Sequence, residues 1–273
     1  MKGVLFCGGF GTRIREYSEE VPKPMVPIGN RPILWHVMKY YAHYGHTDFI
    51  LCLGHQAQAV KQYFLNYDEC LTNDFTISGG GRNVSLARRD IDSWTITFVD
   101  TGVNSNIGQR LRAVREYLRG EQMFLANYSD GLTDFHLPDL VSRVETEKPV
   151  AAFLCVRPTI SCHFVEASDD GTVHALRTCK QADLWINGGY FVFRQEIFDH
   201  LHEGEELVVE PFNRLIQKQQ LLSHRYQGFF QTMDTFKERE QLERLVAQGN
   251  GQASWMVWKN EPDKNGAAAQ TSR

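Results

Sequence analysis

A chain of 273 residues with 42% hydrophobic residues can bury one large core, or a core with a small lobe. Its formal net charge of −4 argues against a general nucleic-acid binder, which is normally basic, so the expected partner is a small molecule. The longest uninterrupted apolar run, residues 150–156, is far too short to span a bilayer, and Met1-Lys2 runs directly into a strand pattern and not into a leader, so a soluble cytoplasmic protein is expected.

The first element is a buried strand, Val4-Leu5-Phe6-Cys7, which empties into Gly8-Gly9-Phe10-Gly11-Thr12-Arg13. Glycines at that point let backbone N–H groups turn inward and approach a phosphate closely. Arg13 and then Lys23 add positive charge, and Lys23 stands between Pro22 and Pro24, so its ammonium is carried on a stiff loop. The spacing is neither that of the Gly-Lys-Ser/Thr phosphate loop nor that of the dinucleotide fingerprint. Ile33, Leu34, Val37, Met38 and Tyr41 repeat at helical spacing, Gly45 stops that helix, and residues 49–53 give the second strand. Residues 56–66 read as a helix. Residues 67–93, with Gly79-Gly80-Gly81 and Arg82, Arg88 and Arg89, lack clear periodicity and look like an inserted flap. Trp94, Ile96 and Phe98 alternate as in a half-buried strand, residues 108–119 carry Leu111, Val114 and Leu118 on one helical stripe, and residues 123–126 make a strand that ends at Asp130.

Such alternation predicts an α/β fold with a mostly parallel sheet flanked by helices and ligands at the carboxyl ends of the strands. The second half is richer in strands, at 150–156, 163–167, 172–176, 188–193 and 221–226, with helices at 194–202, 209–219 and 235–247. No internal repeat or linker divides the chain. We expect one domain over 1–259 and a disordered tail at 260–273. The six cysteines have no paired metal-type spacing, and Cys7, Cys52 and Cys155 lie in apolar strand-like runs, so neither zinc nor structural disulfides are expected.

Gly8-Gly9-x-Gly11-Thr12-Arg13, Lys23-Pro24-Met25, Pro27-Ile28-Gly29, Arg31-Pro32-Ile33, Val99-Asp100-Thr101-Gly102, Tyr128-Ser129-Asp130-Gly131, Asn187-Gly188-Gly189-Tyr190 and Met233-Asp234-Thr235 together span nearly the whole chain. In order and spacing they resemble the sugar-1-phosphate nucleotidylyltransferases, and most closely the glucose-1-phosphate cytidylyltransferases. The resemblance implies a single-domain Rossmann-like fold of the nucleotide-diphospho-sugar transferase (GT-A-like) type, with residues 1–135 as its nucleotide-binding half and 136–259 as its acceptor-binding half. It also implies a nucleoside triphosphate, CTP foremost, and a small phosphorylated acceptor as partners, one Mg²⁺ as cofactor, and a homo-oligomer. Transferred residue by residue, it makes Arg13, Lys23 and Asp130 catalytic, and puts the nucleotide on Cys7, Gly8, Gly9, Gly11, Thr12, Arg13, Lys23, Ser105, Arg110 and Asp130. Asp130 and Asp234 are the implied metal carboxylates, which suits an ion that takes a couple of carboxylates plus phosphate oxygens and water. His36 and His55 are read as packing or capping residues, because an acceptor phosphate is already ionised and needs no general base.

The family pattern is broken in two places. Arg110 follows Ile107-Gly108-Gln109 where the family has Thr-Gly-Gly, and Phe164-Val165-Glu166 stands where a Phe-Gly pair is expected. A Glu-Lys-Pro motif is replaced by Leu176-Arg177-Thr178-Cys179-Lys180, so Arg177 or Lys180 is expected on the acceptor phosphate, with Asn187 and Glu210, and also Glu166, as candidates for the sugar. The same chemistry with UTP or dTTP, or with a phosphate or phosphonate acceptor other than a sugar, stays open at this level. So does a catalytically silent nucleotide-binding or assembly subunit.

Overall fold

The computed structural model describes residues 1–9, 21–159, 163–179 and 181–259. The chain opens with β1 (Gly3–Phe6), and a 3-10 turn at Lys23–Met25 leads through the short strands β2 (Pro27–Ile28) and β3 (Arg31–Pro32) into α1 (Ile33–His43). Pro32 precedes that helix, where its missing N–H leaves no intrahelical bond unmade. There follow β4 (Asp48–Leu53), α2 (Ala57–Leu65), a hairpin of β5 (Phe75–Ser78) and β6 (Asn83–Leu86), β7 (Thr95–Asp100), α3 (Ile107–Ala113), β8 (Met123–Asn127), β9 (Gly131–Thr133) and α4 (Leu137–Glu147). The second half holds β10 (Ala151–Val156), the ribbon β11 (His163–Ala167) and β12 (Val173–Thr178), β13 (Ile186–Arg194), α5 (Glu210–Gln217), β14 (Leu221–Tyr226), β15 (Phe230–Thr232) and α6 (Phe236–Gln248).

Seven strands form the main sheet in the order β14-β10-β13-β8-β1-β4-β7. Every neighbouring pair is parallel except the two made by β13, which runs against both β8 and β10. The chain steps from β1 outward to β4 and β7 and then returns to β8 on the other side of β1. That reversal opens a crevice at the carboxyl ends of β1 and β8, the usual ligand position in such sheets. Successive residues of the central strands enter opposite cores. Val4, Phe6, Ile50, Cys52, Phe124 and Ala126 pack with α3 and α5, whereas Leu5, Phe49, Leu51, Leu53 and Leu125 pack with α1 and α4. Both faces are therefore covered, which is why these strands read as continuous apolar runs.

Two expected helices are shorter than their pattern. The stretch 108–119 is α3 followed by a 3-10 turn at Arg115–Leu118, and 194–202 is a 3-10 turn at Gln195–Asp199. Apolar residues three and four apart serve either helix type, so their spacing alone does not separate them. The stretch 67–93 carries the β5–β6 hairpin, turning at Gly79, Gly80 and Gly81, all with positive φ. Its register puts Phe75 opposite Leu86 and Ile77 opposite Val84, so one face of the ribbon is apolar and its other face is Thr76, Ser78, Asn83 and Ser85. Five cysteines among the described residues are free thiols, Cys7, Cys52 and Cys155 of them buried in strands or at strand ends.

The base of the flap is anchored on Arg31, which is 2% exposed. Its guanidinium donates to Thr72 Oγ1 at 2.7 Å and to the Asp68 carbonyl at 2.9 Å, pairs with Asp90 at 3.3 Å, and lies 4.2 Å from the Tyr67 ring centroid. Burial pushes the Asp90 carboxyl up, but the contacts from Thr72, Lys39, Tyr67 and Arg31 outweigh it and its pKa is lowered. The stability drawn from this carboxylate is full above the ordinary Asp pKa and is lost as pH falls through the lowered one. Arg31→Met, which removes one of the two cations on Asp90 and the donors to Thr72 and the Asp68 carbonyl, is expected to cost about 2 kcal/mol in urea unfolding. Hydrogen exchange should rise first within 67–93, and unchanged protection there would show that the anchor lies elsewhere.

Candidate active site

Asp130 is placed by a tight turn after β8. Ser129 adopts a left-handed φ of 64°, its hydroxyl donates to the Phe6 carbonyl at 2.8 Å, and its N–H donates to Asn127 Oδ1 at 2.7 Å. The end of β8 is thereby tied to the end of β1. Asp234 arrives from far along the chain because β15 pairs antiparallel with β9, setting Thr232 opposite Gly131, and the Met233 N–H donates to the Asp130 carbonyl at 2.9 Å. The next residues start α6 with a capping box: Glu238 N–H donates to Thr235 Oγ1, while the Glu238 carboxylate accepts from the N–H groups of Asp234 at 2.7 Å and Thr235 at 2.8 Å. Helix start and strand ladder together hold the two aspartates side by side.

Lys23 completes the group. Its 3-10 turn is closed by Met25 N–H to the Pro22 carbonyl at 2.7 Å, and its Nζ reaches Asp130 Oδ2 at 2.5 Å and Asp234 Oδ1 at 2.7 Å. Burial pulls the Lys23 pKa down, yet the two carboxylates outweigh it and the pKa is raised, so the ammonium stays charged. The two carboxylates thus converge on a single cation, which is the geometry a divalent ion needs from two aspartates. Among the described residues no group of three or more His, Cys, Asp or Glu side chains could hold a metal. An ion here would draw its other oxygens from phosphate and water, as magnesium does.

Arg110, expected on the triphosphate, is turned inward in this structure. It is 2% exposed, and its guanidinium donates to Thr101 Oγ1 at 2.7 Å and to the carbonyls of Gly8 at 2.9 Å, Leu53 at 3.1 Å and Val103 at 3.3 Å. All of these acceptors are uncharged, and no carboxylate pairs with it among the described residues. The arginine therefore ties Gly8, where the glycine loop begins, to the ends of β4 and β7, and puts beneath it a positive charge that is in no ion pair among the described residues. A Cβ on Gly8 would stand 2.0 Å from Arg110 Nη1, so this packing requires glycine there. The Cys7 N–H donates to the Cys52 carbonyl at 2.9 Å, and burial pushes its thiol up to about 12 although a side-chain hydrogen bond with Ser129 opposes the shift. Ser105 Oγ donates to the Thr101 carbonyl at 2.5 Å and closes the loop after β7.

Gly9 is exposed beside Gly8, whereas Gly11, Thr12, Arg13 and Lys180 lie outside the described residues. Asn187, at the start of β13, donates to the Tyr128 hydroxyl at 3.3 Å and accepts from the Gly189 N–H at 2.9 Å, which brings it beside the Tyr128-Ser129-Asp130 turn. Gly189 has φ +74°, and a Cβ there would meet the Tyr128 ring at 2.5 Å. Two acceptor candidates are not brought to this turn. Arg177 lies on the β11–β12 ribbon, exposed and paired with Glu166 at 3.0 Å, because antiparallel register puts its strand position opposite Phe164, next to Glu166. Glu210 accepts from the Glu206 N–H at 3.1 Å and so serves the turn into α5. Sequence reasoning quoted Thr101, Tyr128 and Ser129 inside family motifs without giving them a role, and passed over Glu238. Only Glu238 had a readable signal, the Thr-x-x-Glu capping pattern.

With this geometry in place, the class is defined. Residues 2–225 match the nucleotidyl transferase family, and the chain belongs to that family and is an enzyme of it. It is 35% identical over 260 residues to a Bacillus subtilis (strain 168) protein named a probable glucose-1-phosphate cytidylyltransferase, covering 94% of this chain and all of the relative. It is 34% identical over 263 residues to the glucose-1-phosphate cytidylyltransferase of Salmonella typhimurium, covering 95% of this chain and again all of the relative. The structure of UDP-glucose pyrophosphorylase in complex with UDP-glucose shares the fold, with a TM-score of 0.65 at 14% identity over 91% of this chain and 98% of that one.

The Arg110 geometry is testable. Arg110→Met removes the guanidinium's hydrogen bonds to Thr101, Gly8, Leu53 and Val103, so it should lower stability by about 2 kcal/mol and also raise the KM for nucleotide. If Arg110 instead turned outward to hold phosphate, nucleotide binding would weaken with no loss of denaturant stability.

Proposed function

We propose that the protein is a magnesium-dependent CTP:sugar-1-phosphate cytidylyltransferase that yields a CDP-sugar and pyrophosphate. The observation that carries this reading is the convergence of Lys23, Asp130 and Asp234 at the carboxyl ends of β1 and β8. The cytidylyl and sugar-phosphate specificities are supported by the names of the two relatives at 34–35% identity that match over their full lengths.

A phosphate oxygen of the acceptor attacks the α-phosphorus of the triphosphate in line, forming the new P–O bond as the bond to pyrophosphate breaks. Little covalent work falls to the protein, so alignment and charge neutralisation carry the rate. A magnesium ion on Asp130 and Asp234 would neutralise the phosphate oxygens and help to align them. Lys23 holds the carboxylates together before substrate arrives. With a divalent ion held by Asp130 and Asp234, the Lys23 ammonium would be free to reach the reacting phosphates on its flexible stem. The glycine loop offers backbone N–H groups to the triphosphate, Arg110 supplies a standing charge below it, and Arg13 takes the β- and γ-phosphates. Asn187 faces the acceptor sugar. We further place the enzyme in the cytoplasm as a homo-oligomer, in which the apolar face of the β5–β6 hairpin, with Ile77 and Val84 more than half exposed, packs on a second copy.

Replacing Asp234 by Asn should reduce pyrophosphate release with CTP and glucose 1-phosphate roughly a hundredfold, with the thermal transition retained. An unchanged metal-dependent rate would end the assignment. Lys23→Met removes the competing cation, so Mn²⁺ alone, followed by electron paramagnetic resonance, should bind tighter than to wild type while kcat falls far more than KM rises. Weaker Mn²⁺ binding in that variant would show that Lys23 supports the metal site and does not compete for it.

A further inference from the structure

One cluster at the acceptor end of the crevice has no part in the chemistry above. Arg157 follows β10, Arg225 lies on β14 in register with Cys155, and Trp185 immediately precedes β13. Both arginines face the same indole, with guanidinium carbons 4.1 Å and 5.0 Å from its centroid. Contact with the ring holds each cation but does not remove the repulsion between them. Arg157 donates to Asp183 Oδ1 at 2.5 Å and to the Leu184 carbonyl at 3.2 Å. Arg225 is exposed and takes part in no ion pair among the described residues. Two cations thus stand against one carboxylate, and the cluster carries a net positive charge. The Cys155 thiol beside it adds no anion, since burial raises its pKa although both arginines oppose the shift.

The position of the cluster limits what that charge can meet. β10 and β14 end on the same side of the sheet as β1 and β8, and β13 begins there. A Cβ on Gly131, next to Asp130, would stand 3.8 Å from the Gly188 carbonyl, and Trp185 lies three residues before Gly188. Three extended residues cover roughly 10 Å. In-line transfer requires the attacking phosphate beside Lys23 and the two aspartates, so the cluster is left to the opposite end of the acceptor. We infer that Arg157, Trp185 and Arg225 form a subsite for a second anionic group on the acceptor, a carboxylate or a phosphate remote from its 1-phosphate. The planar guanidinium forks match either group, and stacking on the indole reduces the side-chain freedom lost on binding. This inference rests on the cytidylyltransferase reading and narrows its substrate class.

The test measures pyrophosphate release with CTP and Mg²⁺ for glucose 1-phosphate, glucuronic acid 1-phosphate and glucose 1,6-bisphosphate. At least one of the two charged acceptors should exceed glucose 1-phosphate in kcat/KM by roughly tenfold or more, the value of about one charge-assisted hydrogen bond. Preference for the glucuronate identifies a carboxylate, and preference for the bisphosphate identifies a phosphate. In Arg225→Gln the ratio of the favoured acceptor to glucose 1-phosphate should fall toward one, mainly through KM, and Arg157→Gln, checked for folding by thermal denaturation, should lower it in the same direction. Glucose 1-phosphate used as well as both charged acceptors, or a ratio untouched by Arg225→Gln, overturns the subsite while nucleotidyl transfer stands. No pyrophosphate from any nucleoside triphosphate with any of the three acceptors overturns the enzymatic reading and the subsite with it.

Discussion

Two carboxylates brought within reach of one cation are unstable neighbours unless that cation is present, and the architecture around Lys23, Asp130 and Asp234 is organised by this constraint. Asp130 hangs from the end of β8 by the Ser129 turn, Asp234 is delivered by the β9–β15 ladder and the cap of α6, and Lys23 is supplied by a proline-bounded 3-10 turn. None of these three supports is local to another. The ammonium offsets one of the two negative charges and bridges both carboxylates, so the pair can stay together at the mouth of the crevice.

A second buried cation shapes the nucleotide side. Arg110 spends its donors on neutral carbonyls and a hydroxyl, which satisfies its hydrogen bonds but leaves it in no ion pair among the described residues, with Asp100 acting on it only electrostatically. Such a charge is costly in a low-dielectric setting unless an anion arrives, and the glycine loop directly above is where a triphosphate would lie. The same side chain therefore shapes the loop and biases it toward anionic ligands. The acceptor side follows a similar logic: Arg177 is neutralised by Glu166 on the ribbon, whereas the charge around Trp185 is not balanced.

Much of this was legible in the sequence because it depends on local pattern. Continuous apolar runs specified buried parallel strands, glycines marked the loop after β1, and the Lys23, Asp130 and Asp234 motifs could each be recognised within a few residues. The inward turn of Arg110 was not legible, for a physical reason. Its position in α3 is a local fact, but whether its guanidinium turns to solvent or inward depends on the carbonyls of Gly8 and Leu53, far away in the chain. Arg177 was likewise a basic residue near a broken motif, and only the register of the β11–β12 ribbon reveals that Glu166 already holds it.

The amino-acid sequence by itself determined the α/β class, the family motifs and the residue types available for phosphate chemistry, since periodicity, glycine and proline act over short stretches of chain. Tertiary structure alone decided which charges meet. The β9–β15 pairing set Asp234 beside Asp130, the inward turn of Arg110 made it a support under the glycine loop, and the antiparallel β13 carried Asn187 to Tyr128 and Trp185 to the two arginines. Electrostatic interactions fall off with distance through space, not along the chain, so their partners become identifiable only once the sheet order is known.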